Sequence, residues 1–435
     1  RGRVVEIIDP RGYSTKRTYN ALDMITSVED PLGRTTYATY DAAGRQTSQT
    51  DGNGDTTSLT FGSNGAPCSL SINGTVMTEA VRDGRETRIT DWALAAGGKP
   101  TIHTLTYDRK GKLIRKVTTS PTGNAVVSEW AYDRDGLRTS FTVDGDTSSY
   151  DYDASGRLTA FTHSRYGTTN FTYDATGRLM RSEGEEATHS WTYVDGFVAS
   201  HLREAGGERA STAISRDAFG RPVVVTHDDA TIDYQYNDAG QLVALHSNTG
   251  ESRGWDFDSS GHMFSSWHQE ADGEKRTERY SYDEASQLVS QVTTRGSRTV
   301  ETGYDYDRAG QRTASYSSDG LRRTFTWDPS GWLTRYSETR ADETTLNIST
   351  IVDGFGQVAR VGDLDLEWDL AAAFPSLARV GDLAVAKLPG GGMLAGHAGT
   401  DGVWRQIAGG STLDPYEIAG FNLPGMPAGF ELTAA

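Results

Sequence analysis

Tyr152-Asp153-x-x-Gly156-Arg157-Leu158 returns 21 residues later as Tyr173-Asp174-x-x-Gly177-Arg178-Leu179, and looser copies run from about residue 8 to about residue 358. A short unit repeated at a fixed period cannot bury its apolar face alone and must stack on its neighbours, so such a chain folds as an array. Ahead of each Asp the aromatics stand two apart, as in Tyr150/Tyr152, Phe171/Tyr173, Trp191/Tyr193, Trp255/Phe257 and Tyr304/Tyr306. Residues two apart on a strand share a face, so each repeat presents two rings on one side and Thr, Asp, Ser or Gln on the other. This is the alternation of a half-buried strand.

Asp-x-x-Gly is turn chemistry. The carboxylate accepts hydrogen bonds from the backbone N–H groups just after it, and Gly takes positive φ at the bulge that closes a type I hairpin turn. Gly fills that slot from Gly44 to Gly356, with Asp23 and Ser286 as exceptions. A polar residue and an apolar one then launch the return strand, which makes each unit a hairpin of about 20 residues. Because Gln, Lys, His and Trp replace the Arg, its expected role is modest: a stem covering ring surface, with a head that meets water or a neighbouring Asp.

These residues resemble the YD repeat of RHS (rearrangement hotspot) proteins, a family that includes polymorphic toxins, Tc-toxin cocoon subunits and teneurins. About a dozen copies in register carry the resemblance, over roughly residues 8 to 370. Some units depart from it: Phe61-Gly62 lacks the Asp, Tyr193-Val194-Asp195-Gly196 has a shortened turn, Asp217 follows no Tyr, and residues 66–105 carry no clear copy. The resemblance implies an all-β fold, a spiral antiparallel β-sheet of YD-repeat hairpins forming part of a hollow shell, or cocoon. It also implies a structural role: a shell segment that encapsulates a C-terminal toxic effector, is not an enzyme, and serves interbacterial competition. The partners implied are the rest of its own polypeptide (RHS core and toxin), with a secretion-system or plug component as a further candidate. The implied location is extracellular or at the cell surface, by secretion or delivery.

The residues agree with a long sheet. Roughly 17 hairpins give about 34 strands, or ~160 Å of sheet at ~4.8 Å per strand, and sheets beyond ~10 strands curl or split. Two segments are expected: a hairpin shell over 1–364, and an irregular Pro- and Gly-rich segment over 365–435 with two or three short strands. The second leads toward an RHS-associated core that is not recognisable; Asp414-Pro415 echoes it only faintly. The chain opens at Arg1 inside a repeat and reads as a piece of a longer protein, so the absence of a leader says nothing about export. As a fragment it is expected to form an open arc or short, leaky spiral.

Charge excludes some partners. The chain carries 42 basic and 59 acidic residues, a net charge of −17, which disfavours nucleic acid and anionic membrane. No run of 18 apolar residues suggests a membrane span. Cys68, the single cysteine, lies in Gly65-Ala66-Pro67-Cys68-Ser69-Leu70 without a basic neighbour and reads as structural.

Chemistry is hard to find. Asp51-x-Asn53-x-Asp55 opens like a calcium loop, but Thr56 stands where Gly is required and Gly62 where the bidentate Glu belongs, so it reads as a hairpin turn. His262 and His268 match no recurrent zinc spacing. Nucleophile-elbow, phosphate-loop, zincin and dinucleotide motifs are missing. The site residues expected here are therefore the repeat motif itself, from Tyr152 to Leu158 and from Tyr173 to Leu179, with no catalytic, metal or cofactor role. The alternative is an extracellular carbohydrate- or cell-surface-binding module using Tyr and Trp as stacking platforms. It requires exposed rings at tips or on an open face, whereas the motif sets them mid-strand beside the turn.

Overall fold

In the computed structural model, residues 2–165, 167–185, 187–371, 376–380, 383–387, 393–397 and 405–407 are described. They form 38 strands, with no helix among the described residues. No helix is therefore long and apolar enough to cross a membrane. The chain divides into two units, Arg1–Val81 with Ile89–Thr101 and Thr212–Gly356, and Arg82–Arg88 with Ile102–Ser211 and Gln357–Ala435.

In each unit, hairpin follows hairpin. In the second, Asp146–Tyr152 pairs antiparallel with Leu158–His163, which pairs with Gly167–Tyr173, which pairs with Leu179–Glu183. The first unit repeats the pattern from Ser252–Phe257 through Met263–Gln269 to Lys275–Tyr282. Pairing slips by one residue at the Tyr of the motif, as at Asp151/Tyr152 and Thr172/Tyr173. The turn explains the slip: Asp153 N–H donates to Arg157 O at 2.9 Å and Gly156 N–H to Asp153 O at 2.9 Å, a type I turn closed by a bulge. Gly156 and Gly177 hold φ of 77° and 88°, and the two exceptions comply at a cost, Asp23 with 63° and Ser286 with 67°.

The apolar layer is thin and lies on the ring-bearing face. In the second unit Phe161 and Phe171 are 2% and 3% exposed, with Tyr150, Leu158, Tyr173 and Leu179 against them. Trp130, Phe141 and Val143 form a neighbouring cluster, the rings of Trp130 and Phe141 stacked at 5.4 Å. Between these residues Ser149, Asp151 and Thr172 are exposed, as strand alternation requires.

Strands also fill the stretch without a clear motif, as Pro67–Ile72, Thr75–Asp83, Glu86–Ala96 and Lys99–Tyr107. There two-residue turns such as Asn73-Gly74, with φ of 50° and 79°, replace Asp-x-x-Gly. Beyond Leu364–Asp369 four short strands are described, Ser376–Val380, Leu383–Lys387, Met393–His397 and Arg405–Ile407, more than the two or three expected. Antiparallel pairing continues there, with Arg379 opposite Ala384 and Lys387 opposite Met393. Asp414-Pro415 and the Gly390-Gly391-Gly392 run lie outside the described residues.

Candidate functional site

The repeat turn is one lock made of four residues. Asp153 Oδ1 accepts from the N–H of Ser155 at 2.8 Å and of Arg157 at 3.0 Å, while Oδ2 accepts from Arg157 Nε at 2.6 Å. Asp174 repeats this with Thr176 and Arg178, at 2.8, 3.0 and 2.7 Å. These donors, led by the backbone N–H of Arg157 and Arg178, hold both carboxyls below the usual carboxylate range.

The same Arg reaches the next repeat. The Arg157 guanidinium lies 5.1 Å from the Tyr173 ring centre and that of Arg178 4.7 Å from Tyr193. The charged head itself, and not only its stem, therefore covers the ring. Lys112 over Tyr132 at 4.7 Å and His262 against Tyr282 at 4.9 Å show that other side chains in the slot also reach the next ring. The Tyr closes the lock backwards. Tyr173 OH donates to Leu158 O at 2.7 Å, and Tyr193 OH to Leu179 O at 2.6 Å. Tyr152 reaches Arg138 O at 2.8 Å. The motif residues Tyr152, Asp153, Gly156, Arg157 and Leu158 thus meet Tyr173, Asp174, Gly177, Arg178 and Leu179 across consecutive hairpins. Asp217, which follows no Tyr, builds the same turn, and Arg221 covers Tyr236 at 4.5 Å.

A second set of contacts joins residues that the repeat alone cannot relate. Within the first unit, the far-end turns of the early hairpins dock on the near-end turns of late ones. Arg11 donates to Asp283 O at 3.0 Å and to Ser286 Oγ at 2.8 Å. Arg34 donates to Gln287 Oε1 at 2.8 Å. Asn53 Nδ2 donates to Asp307 Oδ2 at 3.0 Å, Arg308 Nε to Gly52 O at 3.2 Å, and Ala309 N–H to Asn53 Oδ1 at 3.2 Å. Asp91, fully buried, accepts the Gly354 N–H at 2.6 Å. Gly354 has to be Gly there, because a Cβ would strike Thr78 and come within 3.0 Å of Asp91 Oδ2. The second unit has its own version: Asp369, 4% exposed, accepts from Trp130 Nε1 at 3.0 Å and from Arg138, and Arg379 pairs with Asp144. Sequence reading missed this seam, for its partners stand 231 to 275 residues apart and look like ordinary turn residues.

The side chains with metal-binding or nucleophilic character are engaged otherwise. Asp51 Oδ1 accepts the N–H of Asn53 and Asp55 at 2.9 Å each, and Asp55 accepts from Asn73 at 2.7 Å, so this loop spends its carboxylates on its own turn and on the neighbouring hairpin. His262 and His268 face different acids, Asp258 at 3.2 Å and Glu251 at 2.8 Å. Glu270, Asp272 and Glu274 cluster at a hairpin tip where Arg295 bridges the two glutamates. Cys68 is half-buried beside Thr60.

Comparison with known proteins fits this geometry. The family model described as RHS Repeat matches residues 1–35 and 19–57, and the one described as Teneurin YD-shell matches residues 97–205. No curated protein sequence matches the chain. Among solved structures, a TcdB2-TccC3-Cdc42 complex is similar at 13% identity and a TM-score of 0.53, over 89% of this chain and 24% of that one. A Tc holotoxin pore of Photorhabdus luminescens is similar at 12% identity and a TM-score of 0.41, over 89% of this chain and 30% of that one. The chain thus spans about a quarter of the length of the first, with which it shares its fold. The two models match stretches built on the recurring Tyr-Asp turn, and together with the fold they support an RHS/YD-repeat protein with a shell-like, all-β architecture.

Proposed function

We propose that this chain is a section of wall in a hollow shell that encloses the C-terminal toxic effector of a polymorphic toxin, with no catalysis of its own. The supporting observation is the seam, where turns some 250 to 275 residues apart bond edge to edge. Turns bonded in this way hold distant hairpins end to end, which is what an enclosing wall requires of its successive courses. Residues 1–364 serve as the wall and 365–435 lead from it toward the core and cargo of the same polypeptide. A toxin of this design acts outside the producing cell, delivered with or without a plug component. A carbohydrate- or cell-surface-binding module requires no such course-to-course bonding.

The test is protease challenge of the longer polypeptide that carries this segment, intact and with Gly354→Ala. Protection of the cargo in the intact protein, and its loss when the seam is wedged open, is the expected result. A cargo cleaved equally fast in both sinks the enclosure reading.

A further inference from the structure

Asn-Gly occurs three times in the chain, as Asn53-Gly54, Asn64-Gly65 and Asn73-Gly74, all in the early hairpins. An Asn followed by Gly is open to attack by the next backbone nitrogen on its own side-chain amide, because glycine has no Cβ to block the approach and bends freely. The nitrogen bonds to Cγ, and ammonia leaves with the proton that nitrogen carried. Water then opens the cyclic imide to aspartate or isoaspartate. The net change is amide plus water to carboxylate plus ammonium.

The three amides differ in what they touch. Asn64 Oδ1 accepts the Ala66 N–H at 3.0 Å, within its own turn. Asn73 Nδ2 donates to Asp55 Oδ1 at 2.7 Å and its Oδ1 accepts the Thr56 N–H at 2.8 Å, so it reaches only the adjacent hairpin. Asn53, exposed at its turn, reaches 254 residues along the chain. Its Nδ2 donates to Asp307 Oδ2 at 3.0 Å and its Oδ1 accepts the Ala309 N–H at 3.2 Å. The attacking nitrogen is engaged as well, since Gly54 N–H donates to Asp51 O at 3.1 Å. While the two turns are docked, both ends of the Asn53 amide are therefore held. Only when they part is the side chain free to turn toward Gly54 N.

Conversion replaces a donor with an oxygen that can only accept. That oxygen would face Asp307 Oδ2, and two ionised carboxylates at such a distance repel. Asp307 cannot simply turn away, because its Oδ1 accepts the Gln311 N–H at 2.9 Å. Asp51 and Asp55 add like charge on the Asn53 turn. The cations bonded at this junction, Arg34 and Arg308, direct these bonds to backbone carbonyls, Asp307 O and Gly52 O. We infer that Asn53 is a deamidation site gated by the seam: its amide converts when the two turns part, and the carboxylate left behind keeps them apart. A reversible opening thereby becomes a permanent one. The site depends on the bonds between the turns, whatever the wall encloses.

Peptide mapping by mass spectrometry on the purified chain, held in mildly alkaline buffer, tests the gating. Short peptides of matched sequence give the ungated rate at each pair. Asn53 should convert at least about tenfold more slowly in the folded chain than in its peptide. Gly52→Ala, whose Cβ would overlap the Arg308 carbonyl, should recover at least about tenfold of that difference and leave Asn64 unchanged. The charge effect is tested by Asn53→Asp, with far-UV spectra reporting whether the strands persist. Hydrogen exchange at the Ala309 amide should quicken at least about tenfold in this variant. Adding Asp307→Asn should restore protection, because an amide again faces a carboxylate. The turn itself tolerates that residue: Asn237 fills the same slot elsewhere in the unit, with its Oδ1 accepting the Gln241 N–H at 2.9 Å. The inference is overturned if Asn53 converts as fast in the folded chain as in its peptide, or no faster in folded Gly52→Ala. It is equally overturned if Asn53→Asp leaves Ala309 protected, or if the exchanged pair fails to restore protection.

Discussion

Gly52→Ala probes the seam without touching a strand. Gly52 sits in the turn Asp51-Gly52-Asn53-Gly54, and its φ is not in the left-handed region, so alanine costs nothing locally. Its Cβ, however, would overlap the Arg308 carbonyl oxygen and stand 2.7 Å from the carbonyl carbon. Carbon atoms pack at ~3.5–4.0 Å, so the two turns must part by about 1 Å. That separation breaks or weakens Arg308 Nε to Gly52 O, Asn53 Nδ2 to Asp307 Oδ2 and Ala309 N–H to Asn53 Oδ1, now 3.2, 3.0 and 3.2 Å. Net hydrogen bonds are worth about 0.5–1.5 kcal/mol each and those to charged groups about 1.5–3, with exposed ones at the low end, so the seam should lose about 2–4 kcal/mol.

The Ala309 amide reports on this directly, because its acceptor is on the other course. Losing 2 kcal/mol of local stability speeds its hydrogen exchange roughly 30-fold. Gly54→Ala is the control. Its φ of 92° makes any side chain strained, yet nothing lies within 4 Å of the added Cβ. It should weaken the Asp51 turn by about 1–2 kcal/mol while leaving the Asp307 turn alone. Unchanged Ala309 protection in Gly52→Ala, or equal acceleration in both variants, would refute the seam as drawn.

Two further outcomes follow from the repeat and from burial. Tyr173→Ala removes a ring packed on Phe161 and Phe171 and the bond to Leu158 O, and should cost about 3 kcal/mol or more in urea denaturation; Arg178→Ala, whose ion pair is partly exposed, should cost about 1 kcal/mol or slightly more through its cover of Tyr193, and equal costs would mean that the Arg organises the turn. Burial lowers His163 from its ordinary 6.5 to about 4, only partly offset by Asp146 and assisted by Arg165. The unfolded chain then binds more protons between those values, so the stabilisation from neutral His163 is complete above 6.5, falls as pH drops through the window, and is gone below about 4. Comparing melting temperature against pH for the native chain and His163→Gln should show a shallower acid slope in the variant, and parallel curves would deny His163 that role.

How much of this was legible follows from the range of each contact. Asp153, Gly156 and Asp174 act within four residues of themselves, so the turn, the bulge and the positive φ at Asp23 and Ser286 can be read from spacing alone. The aromatic alternation likewise identifies which residues face Phe161 and Phe171. Reach to the next repeat is only half legible: the Arg slot is visible, but its guanidinium lying on Tyr193 depends on strand twist. Nothing local marks Gly52 as a close approach or Asp91 as a buried acceptor in a stretch without the motif. Asp369 reads as the start of an irregular tail, yet it anchors Trp130 and Arg138.

That difference in range carries a consequence for how the protein resists change. Contacts within the strip recur every 20 or 21 residues, so losing one lock leaves its neighbours intact, as in any array whose units touch only adjacent units. Seam contacts do not recur in that way. Arg11 and Arg34 meet partners about 273 residues on, or roughly thirteen repeat lengths, and inserting or deleting one hairpin of the first unit between them, as within 212–282, would move every partner by two strands, ~10 Å. Such a change leaves each lock satisfied and sets the far-end turns against the wrong neighbours. Repeat number between the two sides of the seam is therefore constrained by the wall, while repeat sequence is constrained only by the turn.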